Sequence, residues 1–196
     1  MKKIKLTKNE IKKQKDHLKR YHRYLPTLYI KKRQLQFEVG RINNELESLA
    51  NKIKGDQQKL EPWIALFNVD VGMETLVQMD ELRLEYDNVA GVDVPVASKI
   101  NLTVQDYDLF ETPMWIDEGT EMLRKMVLLQ MEQLVLEEQK NRLHKELRIT
   151  SQRVNLFEKL KIPEAEEAIR KISIYLGDLQ TSAVGWSRMA KKKIQS

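Results

Sequence analysis

The sequence predicts a mainly α-helical protein: a long antiparallel two-helix left-handed coiled coil formed by the N- and C-terminal helices, with a small central region of short helices and a β-hairpin. Three observations predict it. Apolar residues recur at alternating steps of three and four through both ends of the chain. The middle loses that period and alternates in the strand manner. The composition, 32% charged and 41% hydrophobic with only 7% aromatic residues, suits long solvated helices better than a dense core or wholesale disorder. The organisation expected is an N-terminal coiled-coil helix over 1–60, an acidic central region over 61–116 and a C-terminal coiled-coil helix over 117–196, all one structural unit.

The first helix opens with Thr7 as N-cap, Glu10 completing a capping box and Leu6 with Ile11 as a hydrophobic staple. One seam then runs Ile11, Leu18, Leu25, Lys32, Val39, Leu46, Ile53 and Leu60. Its companion runs Gln14, Tyr21, Leu28, Leu35, Ile42, Leu49 and Asp56. A helix from Thr7 to Lys59 is about 80 Å long at 1.5 Å per residue.

In the central region Pro62 marks a short helix to about Asn68, with another near Met73–Asp80. Val89 to Val96 and Ile100 to Val104 alternate as strands, with Pro95 suited to an edge, so a small hairpin or ribbon is expected. The helical arm resumes near Asp117 as N-cap.

The C-terminal seam runs Met122, Met126, Leu129, Gln133, Leu136, Lys140, Leu143, Leu147, Thr150, Val154, Phe157 and Lys161. At Ile162-Pro163 it slips by one residue, then resumes as Ala165, Ile169, Ile172, Leu176, Leu179, Ala183, Trp186 and Ala190. A proline and a phase slip together predict a kink or a local change in supercoil near 162–163. The two seams bury each other if the arms pair antiparallel, which brings residues 1–33 beside 164–196. Pairing between two chains would bury them as well.

Charge is strongly segregated. Residues 1–33 hold 13 Lys/Arg against 2 acids, residues 61–121 hold 2 against 14, and residues 188–196 hold 4 against none. The hairpin therefore gathers both basic ends at one tip.

Chemistry is conspicuous by its lack of carriers. With 0 Cys, disulfides, zinc-thiolate sites, iron–sulfur clusters and thiol catalysis are excluded. The 7 glycines form neither a phosphate loop nor a dinucleotide turn. His17 and His22 are spaced onto different helix faces and His144 stands apart, so no metal site is expected. No catalytic or cofactor-binding residues are expected either. No apolar run reaches the roughly 20 residues that span a bilayer, and no apolar stretch follows the basic start, so a cytoplasmic protein without a secretory signal is expected. Trp63 and Trp115 flank the acidic segment as packing or partner-contact residues, while Trp186 falls on the seam.

Three stretches in order resemble one family. Leu6-Thr7-Lys8-Asn9 with Tyr24-Leu25-Pro26-Thr27-Leu28 and Lys31-Lys32-Arg33-Gln34-Leu35 is similar to the N-terminal helix of the D subunits of V/A-type rotary ATPases, bacterial branch. The central segment, with Asn88, Ala90, Gly91, Val92 and Pro95, resembles that family's middle. Thr150, Arg153, Val154, Asn155 and Glu158, followed by Ile162-Pro163, resemble its C-terminal pattern. The resemblance implies a non-catalytic central-stalk rotor at the cytoplasmic face of a membrane. Its paired termini would enter a hexameric ring of A and B subunits, with the F subunit on the side of the rod and the C subunit linking the far end to the membrane rotor. It implies no cofactor, no nucleic acid, and membrane association only through the complex.

Within that frame Lys8, Lys12, Lys13, Lys15, Lys19 and Arg20, with Arg188, Lys191, Lys192 and Lys193, are the expected contacts to acidic groups of the ring. Like charges on neighbouring turns repel, and basic residues in a first turn oppose the helix dipole; a negative partner relieves both costs. The alternatives from the residues alone are a stand-alone coiled-coil adaptor and a nucleic-acid-binding hairpin, the latter using Tyr21, Tyr24 and Tyr29 among the basic residues.

Overall fold

A computed structural model describes residues 5–61, 77–105 and 113–195. Helix α1 spans Lys8–Leu60, strands β1 and β2 span Val77–Val89 and Val92–Val104, and helix α2 spans Ile116–Leu156. A π turn over Phe157–Lys161 then leads into helix α3, Ile162–Gln195. The chain divides into two compact units. One is formed by residues 33–147 and the other by residues 1–32 with 148–196. The fold is thus mainly helical with a small antiparallel hairpin between long N- and C-terminal helices.

In the unit of residues 33–147, α1 and α2 run antiparallel. Leu35, Val39 and Ile42 share a core with Leu143, whereas Leu49 and Ile53, farther along α1, meet Met126, earlier in α2. These α1 residues are the ones the seven-residue period selects. Burying each large aliphatic side chain contributes about 1.5–3 kcal/mol. The hairpin adds Val94 to the first cluster, with Val89, Ala90 and Val92 packed against it. Two cross-links hold β2 to α2: Gln139 Nε2 donates to the Pro95 carbonyl at 2.7 Å, and Arg142 donates to the Asp93 carbonyl at 3.2 Å while its guanidinium lies over the Tyr86 ring.

The hairpin differs in extent from its sequence expectation. Val92 to Val96 and Ile100 to Val104 are not two strands but most of one, β2, whose partner β1 lies upstream and ends at Val89. The chain reverses at Ala90-Gly91, whose φ values of 53° and 78° give the two-residue turn that matches strand twist. Asn88 stabilises the reversal: its Oδ1 accepts from the Gly91 N–H and its Nδ2 donates to Asp93. The expected helix near Pro62–Asn68 lies outside the described residues, as does the first half of that near Met73–Asp80; Val77 to Asp80 belong to β1 rather than to a helix.

Helix α2 starts at Ile116 rather than with Asp117 as cap. Ile116 is buried and its N–H reaches the Pro113 carbonyl, which places Asp117 and Glu118 in the first turn, where acidic groups favour the dipole.

In the unit of the two termini, α1 starts as its sequence predicts. The Thr7 hydroxyl accepts from the Glu10 N–H at 3.3 Å. Glu10, however, accepts from Gln14 instead of closing the capping box. The one-residue slip near Ile162-Pro163 is absorbed by the π turn, whose i→i+5 hydrogen bonding accommodates one extra residue and rephases α3. The rephased seam buries Ala165, Ala168 and Ile172, so Ala168 takes the place expected for Ile169.

Candidate functional site

The start of α1 and the whole of α3 belong to one unit. Aromatic and polar contacts tie α1 to the π turn that leads into α3: the Tyr21 and Phe157 rings lie 5.2 Å apart, and the Tyr29 hydroxyl donates to Glu158 at 2.7 Å. That carboxylate raises the Tyr29 pKa by hydrogen bonding to the protonated phenol. His17 stacks on Tyr21 at 6.2 Å.

On this scaffold Lys8, Lys12, Lys13, Lys15, Lys19 and Arg20 of α1 are all exposed, as are Arg188, Lys191, Lys192 and Lys193 of α3. Helix α1 exposes them because its apolar residues take the other face. None of Lys8, Lys12, Lys13, Lys15, Lys19, Arg20, Arg188, Lys191 and Lys192 forms a salt bridge with another described residue. Elsewhere on α3, Lys171 does, 2.6 Å from Glu167, and its hydrogen bond lowers the Glu167 pKa.

The structure adds a feature that the period concealed. Tyr21 meets Phe157, and α1 begins about thirteen residues before Tyr21, so α3 outlasts its partner at an equal rise per residue. Burial follows that count. Ile172 is fully buried and Leu176 half-buried, and every residue from 177 to 194 except Gly185 is exposed. Leu179, Ala183, Trp186 and Ala190, expected on a buried seam, instead continue its line as an open apolar stripe. Trp186 is 73% exposed and Met189 60%. Aligning the two helix ends, rather than the two periods, is the signal that reveals it.

The aromatics that sequence interleaves with the basic residues are divided. Tyr21 and Tyr29 are engaged within the unit, and Tyr24 is exposed. Trp115 is half-buried just before α2, and Trp63 lies outside the described residues. Among the described residues no cluster of three His, Asp or Glu side chains could hold a metal, and no helix is long and apolar enough to cross a membrane.

Comparison with known proteins decides the family. A family model for the D subunit of ATP synthases matches residues 10–192. The chain belongs to the family of V-type ATP synthase D subunits. It is 45% identical to the V-type ATP synthase D subunit of Borreliella burgdorferi, with 99% of this chain and 96% of that one aligned. It is 38% identical to the V-type ATP synthase D subunit of Chlamydia abortus, over 98% of this chain and 94% of that one. A 37% identity to the corresponding protein of Chlamydia trachomatis, also a V-type ATP synthase D subunit, spans 98% and 96%.

In this D-family chain the C-terminal residues that carry the resemblance divide between buried and exposed positions. Thr150 and Val154 are buried, with no partner for the Thr150 hydroxyl among the described residues. Arg153 and Asn155 are exposed, Glu158 binds Tyr29, Ile162 opens α3 and Pro163 follows it. The central residues Asn88, Ala90, Gly91, Val92 and Pro95 build the hairpin turn and its seat on α2.

Proposed function

We propose that this chain is the central-stalk rotor of a V-type ATPase or ATP synthase, carrying torque between nucleotide turnover in a ring of A and B subunits and ion translocation through the membrane rotor. The F subunit packs against the side of the paired helices, and the C subunit joins the chain to the membrane rotor at its cytoplasmic face. The chain itself is non-catalytic; the nucleotide sites belong to the ring.

The observation that carries this reading is the end of the terminal unit. It presents exposed basic residues on α1 and α3 beside an uncovered apolar stripe around Leu179 and Trp186. A surface with both features is matched by a partner cavity that is apolar within and acidic at its rim. Exposed ion pairs contribute about 0–1 kcal/mol each, so many weak contacts hold the rotor without fixing one angle. An asymmetric pair of helices also offers a different face to each of three equivalent pairs of ring subunits.

The test is reconstitution of the A and B ring with and without this chain, with a bead attached to the chain and the ring immobilised. Stepwise bead rotation on addition of ATP is the result expected. Sustained turnover with a stationary bead defeats the proposal.

A further inference from the structure

We propose that the terminal helical unit contains a latched hinge at the level of Pro26 and the π turn Phe157–Lys161, with the Tyr29–Glu158 hydrogen bond as its latch. The backbone hydrogen-bond ladder of each helix has a gap there. Pro26 lies inside α1 and has no N–H, so the His22 carbonyl loses its helical donor. On the opposite helix the Ile162 N–H reaches back five residues to the Phe157 carbonyl, and Pro163 leaves the Lys159 carbonyl without its donor. The contacts of Tyr21 with Phe157 and of Tyr29 with Glu158 bracket Pro26, which sets the two interruptions side by side.

The buried seam is broken at the same place. Val154 and Ala165 are both buried, but no residue between them is. Leu156 and Leu160 are exposed. A helix pair resists bending through its backbone ladders and its buried seam, and here both fail together. The Tyr21–Phe157 ring contact is the pivot. Across from it, the exposed Tyr29 hydroxyl donates to Glu158 at 2.7 Å, a bond to a charged acceptor that can open without exposing a core. Opening the latch frees the π turn to shift between π and α pairing while the helices on either side stay intact. The inference does not depend on the rotor reading, because it concerns the chain alone.

Native-state hydrogen exchange of the full chain tests it, comparing Tyr29→Phe, Glu158→Ala and Glu158→Gln with the parent. Removing the latch should raise exchange roughly two- to tenfold at residues 22–30 and 157–164, the range that a net hydrogen-bond contribution implies. Exchange at residues 168–176 should stay unchanged. Glu158→Gln keeps an acceptor for the phenol and should remain closer to the parent than Glu158→Ala. If Tyr29→Phe fails to fold, the Glu158 pair gives the same reading. No local rise in any folded variant, a rise spread evenly over the whole unit, or equal behaviour of the Gln and Ala variants overturns the hinge.

Discussion

Lys125 Nζ of α2 lies 2.7 Å from Oδ2 of Asp56 in α1, a residue only 7% exposed. Lys59, one turn on in α1, approaches the other oxygen at 3.3 Å. Asp56 occupies a position that the seven-residue period assigns to the apolar seam, and the two lysines are what allow a charge to stay there. A polar group at such a position fixes the register of paired helices, because sliding by one turn leaves it buried and unpaired.

The ion pair makes stability depend on acid. Hydrogen bonding from Lys125, then from Lys59, holds the Asp56 pKa below the ordinary carboxylate range in the folded state. Such a group contributes stability that is fully present above its unfolded pKa of about 3.9 and is lost as pH falls through the lower folded value. Asp56→Asn should therefore lower the urea midpoint at pH 7 and match the parent once the pH is well below 4. A constant gap between the two proteins across pH 3–7 contradicts the assignment.

Leu143 anchors the contact of both helices with the hairpin: it is 0% exposed and shares its cluster with Leu35, Val39, Ile42 and Val94. Truncation leaves a cavity that three elements cannot all close. Leu143→Ala is expected to cost about 2–5 kcal/mol, measured by denaturant unfolding.

Ala90 holds a φ of 53°, which an L side chain adopts at a cost of about 1–2 kcal/mol. Ala90→Gly removes that strain but adds freedom to the unfolded chain worth about 0.5–1 kcal/mol, so a small net stabilisation is expected. Gly91→Ala, at φ 78°, should destabilise by about 1–2 kcal/mol. Thermal melts of the two variants should move in opposite directions.

Trp186 separates an interface from a core. Exposed at 73%, it should leave the stability of the isolated chain within about 0.5 kcal/mol when changed to Ser. The same variant should bind the reconstituted ring more weakly. Changing Lys12, Lys13, Lys191 and Lys192 to Gln should weaken ring assembly and flatten its dependence on salt, since exposed charges are screened over about 8–10 Å. Unchanged assembly in both variants removes this surface from the ring contact.

Much of the fold is written in local pattern. The period selects Leu35, Ile42, Leu49, Leu143 and Val154 for burial because one helix face must leave water, and Thr7 marks the start of α1 through its own hydroxyl. The phase slip before Pro163 signals the extra residue of the π turn. The family resemblance rests on residues spread along the chain, and they are the chain's own.

Three features were decided only by tertiary structure. The reversal at Ala90-Gly91 has no standard turn sequence; Asn88 and Asp93, paired across it, and the seat on α2 hold Ala90 at a positive φ. Asp56 is buried because Lys125 arrives from a distant stretch of chain to neutralise it. Trp186 is exposed because α3 runs beyond the start of α1, and a repeat pattern reports which face of a helix is apolar but not where its partner ends.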